Sequence, residues 1–178
     1  MAGLKLLGIS GSLRKASFNT LLVNEAARLF DPETFILADI RMPLYDGDLE
    51  DAEGLPEAAR VLRAEIAAAD AIVVSTPEYN KNLPGGLKNA LDWISRPHTE
   101  NEPGLWAFQG KVAGLGAVAP GALGGLRGLV PLRMMLGNIG VTVVPSQVAV
   151  SDGFNAFDEN GELVADMPSS LFKATITQ

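Results

Sequence analysis

Short apolar segments alternate along the chain with longer segments in which apolar residues recur at helical spacing, and this alternation limits the possible folds more than any other feature. The apolar segments lie at residues 4–9, 34–37, 71–75, 111–118 and 141–144, and we predict that each forms a strand. Strands that alternate with helices are typical of a parallel sheet with right-handed crossovers and helices on both faces. The sequence therefore predicts an α/β fold of the flavodoxin-like type, a doubly wound parallel sheet of five strands in the order 2-1-3-4-5. We expect residues 1–178 to form a single domain of this kind.

Composition excludes several kinds of site. The chain has no cysteine and one histidine, His98, which excludes disulfides, thiolate catalysis and metal sites built from several such residues. Redox chemistry would therefore need a bound organic cofactor. The formal net charge of −7 argues against a nucleic-acid partner. No apolar run approaches the roughly 20 residues of a membrane span, and residues 1–5 lack the regions of a signal peptide, so we expect a cytoplasmic protein with no membrane partner.

The segment after the first predicted strand suits a phosphate. Gly11 permits a tight turn, and the helix that begins near Asn19 points free backbone N–H groups at the same place. Arg14 adds a forked cation, whereas Lys15 is either a further ligand or simply solvated. A serine-rich turn with a helix cap is the alternative interpretation. The candidate phosphate ligands are Ser10, Ser12, Arg14, Ser17, Asn19 and Thr20.

The segment after the third predicted strand suits the edge of a flat heteroaromatic ring. Pro77 and Pro84 stiffen its two ends. Between them, Tyr79 offers a flat face, and Asn80 with the nearby backbone offers hydrogen-bond donors. An ordinary loop with an exposed tyrosine is an equally common explanation of the same residues.

The segment after the fourth predicted strand is rich in glycine, which permits a close approach of the backbone to a ligand. We expect Gly121 and Gly124 to lie against the ring, the alternative being a turn that only packs the next helix. Residues 114–119 match a Gly-x-Gly-x-x-Ala dinucleotide fingerprint. We reject this motif because it lies inside a predicted strand and no acidic residue follows about 20 positions later.

Two other segments carry expectations. Residues 125–138 are apolar nearly all round a helix, so we expect a second partner surface, preferably another subunit, and Pro131 must either kink this helix or lie in its first turn. Residues 157–163 predict a hairpin turn built on Asn-Gly. A calcium loop does not fit there, because Ala156 and Met167 would occupy its first and twelfth ligand positions.

Two of these loops together resemble a known family. The residues are Gly-Ser-Leu-Arg-Lys-Ala-Ser-Phe-Asn at 11–19 and Thr-Pro-Glu-Tyr-Asn at 76–80, with Pro-Gly-Gly-Leu-Lys-Asn-Ala-Leu-Asp-Trp at 84–93. They are similar to the NADPH-dependent FMN reductase family, which includes bacterial chromate and quinone reductases and related azoreductases. The resemblance extends over roughly residues 4–165. Asn82 stands where the family often has serine, and the family's final amphipathic helix is poorly represented in residues 169–178.

The resemblance implies roles for individual residues. The phosphate candidates named above would hold the FMN phosphate, and the isoalloxazine edge would be lined by Pro77, Glu78, Tyr79 and Asn80. The family also implies a homodimer or a homotetramer. In that assembly Arg96 would face the neighbouring subunit's flavin, with a solvated helix end as the alternative interpretation.

The sequence thus predicts an FMN-dependent NAD(P)H:acceptor oxidoreductase. We expect ping-pong hydride transfer from NADH or NADPH, via FMN, to a small-molecule acceptor such as a quinone, a free flavin, an azo compound, a ferric complex or chromate. The flavin would carry the chemistry, with Tyr79 and Arg96 as the candidate catalytic side chains. A flavodoxin-type FMN electron carrier without its own NAD(P)H oxidase activity is the alternative. The physiological acceptor, the choice between NADH and NADPH, and the role of the segment after Asp166 stay open.

Overall fold

Five parallel strands form the sheet in a computed structural model, which describes residues 3–164 and residue 170. The strand order is β2-β1-β3-β4-β5, and every neighbouring pair is parallel, which confirms the predicted topology. The strands are β1 (Lys5–Ser10), β2 (Thr34–Leu37), β3 (Ala71–Ser75), β4 (Val112–Val118) and β5 (Thr142–Val150).

Helices cover both faces of this sheet. They are α1 (Phe18–Phe30), α2 (Gly47–Glu53), α3 (Glu57–Ala68), α4 (Gly85–Ile94) and α5 (Leu126–Asn138), with a 3₁₀ turn at Trp106–Phe108. Along β1, Leu7 packs into one hydrophobic cluster with side chains of α3, α4 and α5, while Leu6 packs into a second cluster with side chains of α1. The alternation follows from the two-residue period of a strand, which sends successive side chains to opposite faces.

Helix α2 is an element that the sequence analysis did not predict. It buries none of its residues, so it lacks the apolar periodicity on which the prediction relied. The available signal was its N-terminus, because Asp46 caps the helix by accepting a hydrogen bond from the N–H of Asp48 at 2.9 Å.

Strand β5 extends well beyond the predicted segment 141–144. The prediction stopped at Pro145, which cannot donate a ladder hydrogen bond. In the structure the register between β4 and β5 shifts between Ala113 and Leu115, and this irregularity accommodates the proline on an edge strand. Arg133 of α5 supports the shift by donating from Nη1 to the carbonyl oxygen of Val144 at 2.9 Å.

Helix α5 and strand β4 settle two other expectations. Pro131 lies inside α5, beyond its first turn. The Gly-x-Gly-x-x-Ala motif lies within and just after β4, as the rejection of a dinucleotide fingerprint required. Gly116 leaves room for the side chain of Leu22 against this strand, because a Cβ atom at residue 116 would lie only 2.7 Å from Cδ2 of the buried Leu22.

The end of the described chain forms the predicted turn. Phe157 and Leu163 pair as an antiparallel bridge, and Gly161 adopts a φ of 80°. The weakly periodic segment 169–178 lies outside the described residues, apart from residue 170. None of the helices in the described part of the chain has both the length and the hydrophobicity that crossing a bilayer requires.

Substitution of Gly8 tests how tightly β1 packs beneath the site. A methyl group at Gly8 would overlap Cγ1 of Val23 and lie 2.8 Å from Cε2 of Phe35. We expect Gly8→Ala to lower the free energy of unfolding by about 1–3 kcal/mol in urea titrations. Gly137→Ala is the control, since nothing lies within 4 Å of its Cβ position in α5, and it should stabilise by about 0.5–1 kcal/mol. Equal effects of the two substitutions would contradict this packing.

Candidate functional site

The main cleft lies at the carboxyl ends of β1, β3 and β4, where ligands bind in doubly wound sheets. The cleft has a volume of about 620 Å³, which includes space open to solvent. Its walls come from the loop after β1, the loop after β3, the loop after β4 and a fourth loop after β5. The lining residues include Ser12, Arg14, Ser17, Asn19, Pro77, Glu78, Tyr79, Ala119, Pro120 and Phe154.

The start of α1 presents a group of unused hydrogen-bond donors to this cleft. Within residues 3–164, no protein acceptor is found for the backbone N–H groups of residues 15–18. The Oγ atoms of Ser12 and Ser17 accept hydrogen bonds from the N–H groups of Arg14 and Asn19, so each hydroxyl keeps its own hydrogen for another acceptor. Free N–H groups at a helix N-terminus form an anion site.

Arg14 adds positive charge at the same place. Its side chain is exposed at the cleft, and the ion pairs among the described residues do not include it. The guanidinium group is therefore available to a phosphate, whose oxygen atoms its planar donors match.

Ser10 and Thr20 lie beside the main cleft and line a neighbouring one. Oγ of the buried Ser10 accepts a hydrogen bond from Oγ1 of Thr20 at 2.9 Å and one from the N–H of Ser12 at 3.4 Å. Each hydroxyl carries one hydrogen, so whichever of the two donates to the other, one hydrogen of the pair has no acceptor among the described residues.

Asn19, one of the candidate phosphate ligands, uses its side chain to brace the site. Its Oδ1 accepts from Oγ of Ser75 at 2.8 Å and from the N–H of Val118 at 3.0 Å, while Nδ2 donates to the carbonyl oxygen of Val118 at 3.0 Å. The side chain is buried and joins the start of α1 to the ends of β3 and β4. It thereby fixes the spacing of three of the loops that form the cleft.

The loop after β3 forms a tight, strained turn. Tyr79 and Asn82 exchange backbone hydrogen bonds of 2.9 and 3.0 Å, and the two residues between them, Asn80 and Lys81, have φ values of 52° and 66°. Positive φ at a non-glycine residue costs about 1 kcal/mol and is common at ligand sites. Tyr79 on this turn lines the cleft with its ring half-exposed, while Asn80 is exposed but does not line the cleft.

Glu78 is held by a contact that the sequence analysis missed. Its side chain is 8% exposed, and Oε1 accepts from Nε of Arg127 at 2.6 Å. Oε2 accepts from the backbone N–H of Arg127 at 3.2 Å. The carboxylate therefore lies at the start of α5, where the helix dipole favours negative charge. This clamp joins the turn after β3 to the loop after β4.

The glycines after β4 lie beside the main cleft. Gly121 and Gly124 line a shallow depression that shares Glu78 and Ala119 with it, whereas Ala119 and Pro120 line the main cleft itself. Gly124 has a φ of 59°, and a Cβ atom there would lie 2.6 Å from the carbonyl carbon of Val150. Its role in the described structure is a close approach to the end of β5.

Phe154 is a wall residue that the sequence analysis did not identify, because it follows β5 and not one of the three expected strands. Its ring packs edge-on against Phe18 with a centroid separation of 5.4 Å and is otherwise exposed, with 74% of the residue accessible. Gly153 secures this loop by donating its N–H to the carbonyl oxygen of Ala119 at 3.2 Å.

Arg96 lies away from the main cleft and has a partner in its own chain. Its Nε donates to Oε2 of Glu50 in α2 at 2.9 Å, and the guanidinium carbon lies 5.9 Å from the ring centroid of Tyr45. The hydrogen bond with Glu50 raises the pKa of Arg96, despite some burial, and a second hydrogen bond to Glu50 raises the pKa of Tyr45. This group anchors α2 to the end of α4.

Known proteins are similar to this chain in sequence and in fold. A family model described as NADPH-dependent FMN reductase matches residues 4–155. The chain is 40% identical over 173 residues to an NAD(P)H-dependent FMN reductase of Pseudomonas aeruginosa. The aligned region covers 96% of this chain and 90% of that protein. It is 37% identical over 138 residues to a quinone reductase of Escherichia coli, and this aligned region covers 75% of this chain and 69% of that protein. Among solved structures, a flavoenzyme NAD(P)H:(acceptor) oxidoreductase from Paracoccus denitrificans matches with a TM-score of 0.83 and 28% identity, over 98% of this chain and 93% of that chain.

Removal of the guanidinium group of Arg127 tests the clamp. Arg127→Met leaves the mostly buried carboxylate of Glu78 with only a backbone N–H, so we expect a loss of about 1–2 kcal/mol in the free energy of unfolding. Amide hydrogen exchange in residues 78–82 should also become faster. The control, Arg60→Met, breaks an exposed pair with Glu57 and should cost about 0–1 kcal/mol. The clamp would be refuted if exchange in residues 78–82 were the same in both variants.

Proposed function

The chain belongs to the NADPH-dependent FMN reductase family and is an NAD(P)H-dependent FMN and quinone reductase with FMN as its cofactor; from this premise we propose that the main cleft binds FMN and serves both of its substrates. The observation that carries the proposal is the set of unused donors at the start of α1, which lies in one cleft with the rigid Tyr79 turn. A dianionic phosphate fits the first feature, and the edge of a flat ring fits the second.

Individual residues have distinct parts in this proposal. The FMN phosphate is held by the backbone N–H groups of residues 15–18, by the hydroxyls of Ser12 and Ser17 and by Arg14. Pro77, Tyr79 and Asn80 belong to the loop that receives the ring edge, and Glu78 fixes the position of that loop through Arg127. Ser10, Asn19 and Thr20 shape the phosphate loop from behind.

FMN, when bound, supplies the ability to accept a hydride from NAD(P)H and to deliver electrons to the acceptor. The protein contributes position and charge: the turn at Tyr79 and Asn82 holds its backbone rigidly, and the N–H groups of α1 stabilise negative charge. Tyr79 is the proposed proton donor at the cleft. Arg96 has an anchoring role within its own chain, through Glu50.

We propose that NAD(P)H and the acceptor reach the flavin through the same open cleft and therefore bind in turn. This supports a ping-pong sequence. The cleft formed by the described residues is open to solvent, and we propose that the acceptors include quinones, free flavins, azo compounds, ferric complexes and chromate.

FMN binding and steady-state turnover test the proposal. We expect the purified protein to bind FMN saturably, to oxidise NADH or NADPH with a quinone, and to give parallel lines in double-reciprocal plots. Arg14→Gln should weaken FMN binding about tenfold, in line with the loss of one charged hydrogen-bond partner, whereas the control Arg60→Gln should not. FMN binding without NAD(P)H oxidation would instead indicate an electron carrier, and no FMN binding at all would exclude the proposal.

We also propose a homodimer, or a homotetramer built from such dimers, that covers one face of α5. Leu126, Val130 and Met134 follow one another at four-residue spacing on this helix, and the last two are 64% and 63% exposed. A stripe of this kind is typical of a face that packs against a second surface.

A charge placed in the stripe tests this assembly. Sedimentation velocity should show a species larger than the 18.7 kDa monomer for the wild-type protein. Val130→Glu should shift that species toward the monomer, because an unpaired charge is costly to bury. Asn24→Glu, on the exposed face of α1, is the control and should leave the distribution unchanged. A monomeric wild-type protein would refute the proposal.

A further inference from the structure

Phe154 lines the main cleft, and the function proposed above gives it no part. Among the phenylalanines, tyrosines and tryptophans that the structure describes, it is the most exposed. Its ring meets that of Phe18 at an interplanar angle of 89°. An edge-on contact occupies at most one face of a ring, so Phe18 leaves at least one face of the Phe154 ring uncovered.

The loop that carries Phe154 is held in a fixed shape. Gly153 donates its N–H to the carbonyl oxygen of Ala119, which ties the loop to the end of β4. Asp152 has a φ of 51°, and its carboxylate oxygens accept from Nδ2 of Asn155 at 3.1 and 3.2 Å. A strained residue of this kind persists where the surrounding contacts determine its conformation. The loop therefore presents the Phe154 ring at a defined place in the wall of the cleft.

That place is beside the start of α1. A Cβ atom at Gly153 would lie only 3.0 Å from Cδ2 of Phe18, so the loop packs closely on the first residue of the helix. In the proposed function the FMN phosphate is bound at this same helix start, by the N–H groups of residues 15–18. Phe154 therefore lies at the phosphate end of the cleft.

The Tyr79 turn, which receives the flavin ring in the proposed function, lies at a different part of the cleft. It follows β3, whereas Phe154 follows β5, and β4 lies between these two strands. Two strand spacings, about 10 Å, therefore separate the strand that leads to Tyr79 from the strand that leads to Phe154. A flavin ring held at the Tyr79 turn leaves the Phe154 ring for another group.

The chemistry of the reaction narrows the choice of that group. The nicotinamide ring must lie against the flavin ring to transfer a hydride, and the acceptor must meet the flavin ring to be reduced. The adenine of NAD(P)H is joined to the nicotinamide through a pyrophosphate bridge, so it is the flat group of the reaction that is held away from the flavin ring. Aromatic side chains bind bases by stacking, because every base has a π-face.

We propose that Phe154 stacks on the adenine ring of NAD(P)H and forms an adenine subsite at the phosphate end of the main cleft. This inference rests on the proposed function, since it assumes that a pyridine nucleotide reduces FMN in that cleft. The stacking contact lies away from the hydride transfer, so it contributes to nucleotide affinity and not to the rate of the chemical step. NADH and NADPH carry the same adenine and use the subsite equally.

Reduced nicotinamide mononucleotide, which lacks the adenosine half, provides the first test. Reduction of the bound FMN is followed anaerobically after rapid mixing with NADH, with NADPH or with the mononucleotide. We expect Phe154→Ala to raise the half-saturating concentration of both dinucleotides about tenfold and to leave the limiting rate unchanged. The mononucleotide should reduce the variant and the wild type alike. An equal loss with the mononucleotide and the dinucleotides would overturn the proposal.

Two further variants are controls. Phe154→Trp keeps a flat face and should bind the dinucleotides at least as tightly as the wild type. Val112→Ala removes part of an exposed apolar side chain at the amino end of β4, opposite the cleft, and should behave as the wild type does. The proposal would be wrong if Phe154→Trp lost as much affinity as Phe154→Ala. It would also be wrong if Phe154→Ala shifted the protein toward the monomer in sedimentation velocity, since the ring would then belong to a subunit interface.

Adenosine binding separates failure of this inference from failure of the proposed function. Adenosine has no phosphate that could compete with FMN, and its binding needs no turnover. Saturation-transfer NMR on the FMN-loaded protein should show adenosine signals that NADH displaces and that disappear in Phe154→Ala. Equal adenosine signals in the two proteins would refute the subsite even in an active enzyme. An FMN-loaded wild-type protein that oxidises neither NADH nor NADPH would refute the proposed function, and this inference with it.

Discussion

The buried amide of Asn19 is the contact on which the arrangement of the site depends. The carboxyl ends of parallel strands meet at one edge of the sheet, but the loops that follow them have no intrinsic reason to keep a fixed spacing. Asn19 supplies that spacing by bonding to Ser75 at the end of β3 and to both backbone groups of Val118 at the end of β4. Because these bonds are removed from water, leaving any of them unmade would cost more than the bond itself contributes. The start of α1 is thereby held against two strands, and its free N–H groups face a defined space.

The loop after β3 is positioned from two directions. Its strained turn is closed by the paired backbone of Tyr79 and Asn82, and Arg127 holds Glu78 against the start of α5. A buried carboxylate with a charged partner and a helix N-terminus is well satisfied, so the turn can keep positive φ values at Asn80 and Lys81. Rigidity at this point matters for a cofactor whose ring must meet a hydride donor at a fixed distance.

Positive charge is concentrated at one loop of an otherwise acidic chain. The loop after β1 carries Arg14 and Lys15, and it forms a ridge with a cleft on each side. In our proposal the FMN phosphate lies on the side of this ridge that faces the main cleft. The main cleft lies at the carboxyl ends of β1 and β3, where the chain reverses its winding direction and the fold leaves a crevice open.

The sequence by itself determined the class of fold, the strand order and the two principal loops. These follow from local periodicity and from residue types, such as the glycine, serines and arginine after β1, whose chemistry does not depend on distant contacts. It missed α2, which buries nothing, and it ended β5 too early because the effect of Pro145 depends on a bulge against β4. Tertiary structure alone decided that Asn19 braces, that Arg127 holds Glu78, and that Arg96 bonds to Glu50. It also brought Arg41 and Phe154 to the two clefts. In every one of these cases the partners lie far apart in the chain, and the contact exists only once packing of the sheet has brought them together.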